Sequence, residues 1–144
     1  MEGWLSVPAR MRFGTMLTVE GDIHGVKVNV LIDTGSDISL GNERFREALR
    51  GVNASRVEYH NGHAFTFGFP IVLETSVWMP NLRLGDNVGG SVTAYIGNFH
   101  VFDVWGLQDE PTLLIGMDVL ASAREMAIDY EHGVVLFRKR PHGR

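Results

Sequence analysis

Val28-Asn29-Val30-Leu31-Ile32-Asp33-Thr34-Gly35-Ser36-Asp37-Ile38-Ser39 is the stretch on which the reading of this chain turns. Val28, Val30 and Ile32 alternate with Asn29 and Leu31, and β-branched residues at that spacing favour a strand. The strand runs directly into Asp33. A carboxylate at the end of a buried strand is costly unless it is hydrogen-bonded or put to use, and Gly35 lets the chain turn tightly with backbone amides close to the acid. Taken alone, D-T-G-S-D also reads as a capped turn in which Asp33 or Ser36 accepts neighbouring amides. A second apolar run, Leu113-Leu114-Ile115, ends on Gly116 and leads into a helical pattern.

Upstream of the acid, Gly14–Glu20 and Ile23–Ile32 read as two strands around a Gly21-Asp22 turn, with Gly25 as a second candidate for a turn or bulge, so that a hairpin delivers Asp33. Downstream, Asn42 precedes Glu43–Arg50, a run of helix formers with Phe45, Ala48 and Leu49 on one side; Asn42 is a capping residue and Gly51 a stop. Val57–Phe69 alternates on both sides of Asn61-Gly62, the dipeptide best suited to a two-residue hairpin turn. Further strands fall at Pro70–Pro80, Val92–Ile96 and Val134–Phe137, and Asp118–Met126 reads as a second helix. Trp4, Leu5 and Val7 ahead of Pro8 form a weak edge-strand or arm pattern rather than a core element. The expected organisation is an N-terminal arm over 1–13, one domain over 14–137 and a basic tail over 138–144.

With 144 residues the chain is long enough to bury one core without staples. Its 44% hydrophobic and 21% charged residues are ordinary for a globular chain, and a net charge of −4 argues against a broad basic face for nucleic acid. No apolar run approaches the length of a membrane span and no signal-peptide pattern opens the chain, so the expectation is a soluble protein, cytoplasmic if this is its whole extent. The absence of Cys excludes disulfides and thiol chemistry. His60 and His63 are the only close His pair, and no Cys or acidic cluster completes a metal site around them, so no metal is expected. Gly85–Gly90 lacks the Lys-Ser/Thr of a phosphate loop and reads as a plain turn. Trp78 and Trp105 read as core or interface residues, with Trp105 also placed to line a cleft.

Asp33-Thr34-Gly35-Ser36 after an apolar strand, joined to Leu113-Leu114-Ile115-Gly116 at a matching distance, resembles the single-domain, retropepsin-like aspartic proteases, over about Gly14 to Phe137. The resemblance implies an all-β acid-protease fold with one or two short helices. It also implies a homodimer, because peptide hydrolysis by carboxylates alone needs one protonated and one ionised acid across a single water, and this chain has one D-T-G loop. Two carboxyls about 3 Å apart share a proton, as the aspartic proteases themselves illustrate. Within the resemblance, Asp33 is catalytic, Thr34 bonds across the twofold axis, Gly35 leaves room for substrate backbone, and Ser36 donates to the Asp33 carboxylate. Asp37 contacts substrate backbone; its family partner, an Arg just after the downstream Gly, is Met117 here. Tyr59–Ala64 corresponds to a substrate-covering flap, with Tyr59, Asn61 and Gly62 against the substrate, and Gly116 is structural beside the site. The implied partner is a polypeptide substrate, with no cofactor. Two rivals stand beside this: a non-catalytic dimerisation or peptide-binding module that keeps the fold, and a monomeric ligand-binding β-barrel with an incidental D-T-G.

Overall fold

The computed structural model describes residues 4–12, 16–52, 55–66, 69–85, 87–88, 90–104, 106–121, 123–129 and 131–139. Twelve strands and three short helices occur among them, in the order β1 (Trp4–Arg12), β2 (Met16–Ile23), β3 (Val26–Ile32), β4 (Ser39–Gly41), α1 (Glu43–Ala48), β5 (Arg56–Thr66), β6 (Phe69–Met79), β7 (Leu82–Leu84), β8 (Asn87–Val88), β9 (Val92–Ile96), α2 (His100–Val104), β10 (Thr112–Ile115), α3 (Met117–Leu120), β11 (Ala123–Asp129) and β12 (Val134–Lys139). The strands pair in the order β11-β12-β1-β2-β3-β10-β4-β9-β6-β5, with β7 bonded to β2 and to β8. The expected all-β class with short helices is what the chain adopts.

The two apolar runs singled out in the sequence lie side by side. β3 and β10 are parallel, with Val30 opposite Leu113 and Ile32 opposite Ile115. Val28, Val30, Ile32, Leu113 and Ile115 enter one buried cluster, whereas Leu31 and Leu114 enter a second with Leu40, Phe99, Phe102 and Leu107. Both faces of this pair are therefore covered, which is why each strand reads as a nearly unbroken apolar run. α2 supplies Val101 and Phe102 to the second cluster.

Four local expectations give way to longer-range packing. The β2–β3 turn falls at His24-Gly25, both with positive φ (49° and 87°), and not at Gly21-Asp22. A two-residue turn with positive φ at both positions matches strand twist, and Asp22 Oδ1 accepts the Gly25 amide at 2.9 Å. Gly21 is instead a strand residue lying against Val30, whose Cγ2 would be 2.6 Å from a Cβ there. Asn61-Gly62 likewise lies inside β5, at a bulge between Tyr59 and Gly62, and the hairpin continues to Thr66 opposite Phe69. Beyond Gly116 the helix lasts one turn, because Ala123–Asp129 is drawn into pairing with β12. The N-terminal stretch is no loose arm, since β1 bonds to β12 on one side and β2 on the other and buries Val7. Of the basic tail, Arg138 and Lys139 belong to β12, and 140–144 lie outside the described residues, as does Trp105.

Asn42 caps α1 as its sequence position suggests, its Oδ1 accepting the Phe45 amide at 2.8 Å. The same fully buried side chain accepts from Thr112 N and donates to the carbonyls of Leu107 and Glu110, so it ties α1 to the start of β10. Replacing it strands two amides in a dry interior. Asn42→Ala is expected to cost about 2–3 kcal/mol, a lost cap plus an unsatisfied buried donor, read as a lower urea midpoint with unchanged slope. At the β11–β12 turn, Asp129 takes the His132 backbone N–H and then its ring N–H, and these donors hold its carboxyl below the ordinary aspartate value. The stabilisation is complete above the unfolded-state pKa and fades as pH falls through the lowered one. A carbon-13 titration of Asp129 should show its midpoint below that of a model aspartate, and Asp129→Asn should remove that acid-side dependence.

Candidate active site

β3 carries Asp33 to the end of the sheet, where the Asp33 amide donates to the Ile115 carbonyl at 3.0 Å and extends the parallel ladder by one bond. The loop then turns back. Asp33 Oδ1 accepts the Gly35 amide at 2.9 Å and the Asp33 carbonyl accepts the Ser36 amide at 3.3 Å. The other carboxyl oxygen, Oδ2, is shielded from solvent and has no hydrogen-bond partner among the described residues. Buried oxygens are nearly always paired, and leaving one unpaired is costly. One oxygen of Asp33 is thus held by its own loop and the other is left for something outside it.

The second loop is fastened to the first. Met117 N donates to the Ser36 carbonyl at 2.7 Å, and the Gly116 amide donates to Ser39 Oγ at 3.1 Å. Ser39 in turn donates through its hydroxyl (2.7 Å) and its amide (3.2 Å) to the two oxygens of Asp118. Gly116 sits where the loops cross: a Cβ would lie 2.6 Å from the Ser36 carbonyl oxygen and collide with that of Ile38. Only a residue without a side chain fits there.

Thr34, Gly35 and Asp37 are exposed beside Asp33. Ser36 departs from its expected role. It is buried, and its hydroxyl donates to the Ile38 carbonyl at 2.8 Å rather than to Asp33, so it stiffens the loop instead of favouring the ionised acid. Tyr59, Asn61 and Gly62 lie together on β5 at the bulge, well short of the hairpin's end, with Tyr59 78% exposed. His60 is half-buried, with Nε2 2.7 Å from Ser76 Oγ. The clamp between Ser39 and Asp118 was not anticipated either. The available signal was a Ser and an Asp placed just past the D-T-G loop and the L-L-I-G run.

An acid delivered by a strand into a loop that is pinned by a second Gly-ended strand is the arrangement of an acid protease. A sequence profile described as aspartyl protease matches residues 19–119, and the chain belongs to that family. In fold it is similar to a retropepsin-like aspartic protease from Rickettsia conorii, with a TM-score of 0.56 at 14% identity over 94% of this chain and 90% of that one. It is also similar to the retroviral protease-like domain of Ddi1 from Leishmania major, with a TM-score of 0.52 at 20% identity over 92% and 95%. Curated protein sequences yield no significant match. Among the described residues no helix is long and apolar enough to cross a membrane.

The crossing at Gly116 predicts that Gly116→Ala forces the two backbones apart and costs about 3 kcal/mol or more, at the upper end for overpacking against unyielding atoms. Gly51→Ala, where a Cβ meets nothing within 4 Å, is the matched control. Urea unfolding of the two variants should separate them clearly.

Proposed function

We propose that this protein is an aspartic endopeptidase that acts as a homodimer, with Asp33 of each protomer facing the other across a twofold axis. The observation that carries the reading is Asp33 itself, one oxygen engaged by Gly35 N and the other buried without a partner. A second copy of the same loop supplies what that oxygen lacks, and a twofold contact is the arrangement that brings two copies of one residue together. Family membership and the retropepsin-like fold support the same reading.

In the proposed reaction the pair holds one proton between two carboxyls and grips one water. The ionised Asp33 takes a proton from the water as its oxygen attacks the scissile carbonyl carbon, while the protonated Asp33 gives its proton to the carbonyl oxygen. The tetrahedral diol then collapses, the C–N bond breaks, and the leaving nitrogen receives a proton from the pair. Thr34 is assigned to hold the two loops together and Gly35 to leave room for substrate backbone. Asp37, exposed and without the Arg that Met117 replaces, contacts substrate backbone. The substrate is an extended polypeptide lying strand-like over the loops, covered by the hairpin of β5 and β6, with Tyr59, Asn61 and Gly62 at the base of the cover.

Incubation of wild type and Asp33→Asn with a diverse peptide library, with cut sites read by mass spectrometry, tests this. Wild type should cut, and the variant should lose on the order of 10³-fold or more, as when one member of a set acting together is removed. Sedimentation should find a dimer. An uncut library with a dimer present would favour a peptide-binding module on the same fold, and a monomer with no cleavage would end the proteolytic assignment.

A further inference from the structure

The β5–β6 hairpin has two mechanically different parts. From Thr75 to Met79, β6 is bonded to β9 on its far side, with Thr75 opposite Ile96 as the last pair. Beyond that point, among the described residues, β6 has only β5 beside it, and five pairs, from Gly62–Leu73 to Thr66–Phe69, continue as a two-stranded arm. An arm of that length, about 14 Å at strand rise, has little stability of its own, as isolated two-stranded ribbons do not. Its angle is therefore set where it leaves the sheet.

At that root the ladder is broken. β5 carries one more residue than β6 between Tyr59–Thr75 and Gly62–Leu73, a bulge that contains His60 and Asn61. Bulges bend a strand and re-aim its side chains. The His60 ring reaches across β6, with Nε2 2.7 Å from the hydroxyl of Ser76, which is 1% exposed, and its centroid 5.3 Å from the ring of Tyr95 on β9. Ser76 and Tyr95 are themselves register partners. One side chain thus spans three strands at the level where the third strand ends. Tyr95 is also the partner of Leu40 on β4, and it packs with Ile38 against the second buried cluster. Ile38 is the residue whose carbonyl receives the Ser36 hydroxyl of the acid-bearing loop.

We propose that His60 is a positioning residue: through Ser76 and Tyr95 it sets the angle at which the arm leaves the sheet, and so how well the arm closes over peptide bound at Asp33. This rests on the proteolytic reading above for its kinetic consequence, but not for its mechanical one. Closure that holds the ground state and transition state alike changes KM without changing kcat.

Four proteins decide the matter: wild type, His60→Ala, His60→Gln and Asp33→Asn. Losing one hydrogen bond and one ring contact, His60→Ala should raise KM for a cleaved peptide about tenfold and leave kcat within about twofold. Arm amides at 62–66, 69 and 71–73 should exchange with deuterium about tenfold faster, while those of β3 and β10 keep their protection. His60→Gln, whose amide reaches the Ser76 hydroxyl, should return both readouts to within about threefold of wild type. An unchanged KM and arm in His60→Ala, exchange rising equally in β3 and β10, or no rescue by Gln each overturn the proposal. Cleavage that survives Asp33→Asn instead overturns the proteolytic reading and the kinetic half of this one, and the exchange data then judge the clamp alone.

Discussion

The Asp33 amide bonds to the carbonyl of Ile115 at the point where two parallel strands both run out. Because β3 and β10 are buried on both faces, neither strand can shift by one residue without exchanging the contents of two cores. Leu31 and Leu114 would have to trade places with Val30 and Leu113. The acid inherits that rigidity. Its position is set by the apolar side chains of β3 and β10 in the two buried clusters, and the loop beyond needs only to turn the chain and hold one oxygen.

Two acids sit at this end of the sheet, and their surroundings separate their roles. Asp118 has both oxygens occupied by Ser39, with Val119 N as a further donor, and is spent on joining α3 to β4. Asp33 has one oxygen occupied and the other buried and unpaired. A carboxylate whose acceptors are all filled stabilises a fold; one left incomplete keeps the capacity to take a further donor. Gly116 makes both conditions possible, since its missing side chain is what lets the loops lie close enough for the Ser36, Ser39 and Asp118 bonds to form.

The features legible in the sequence are those decided over a few residues. The V-N-V-L-I run into Asp33, the L-L-I-G run and the Asn42 cap all appear where local pattern places them, because burial on two faces and a cap both leave a plain mark in the residue types. The departures in strands and helices share a cause. Gly21-Asp22 and Asn61-Gly62 are good turn formers, yet Gly21 is needed as the bare spot under Val30 and Asn61-Gly62 as a bulge, and both needs arise from strands distant in sequence. Helix formers after Asp118 lose to pairing with β12, which is invisible until β12 is placed. Ser36 donates to Ile38, two residues away, in competition with an acid three residues back, and residue types alone do not rank such choices. The contact of His60 with Ser76 has no local signature at all.

The bulge on β5 has one more consequence, for how this protein can change over evolutionary time. It sets the phase of the strand beyond it, and among the described residues the pairs farther out have no third neighbour whose pairing must be respected. Residues can be gained or lost from the outer hairpin in matched steps of two on each strand, and the alternation of faces survives. A lone insertion on one strand inverts it. The length of the outer hairpin is thus free to change in even increments without disturbing the sheet that carries Asp33.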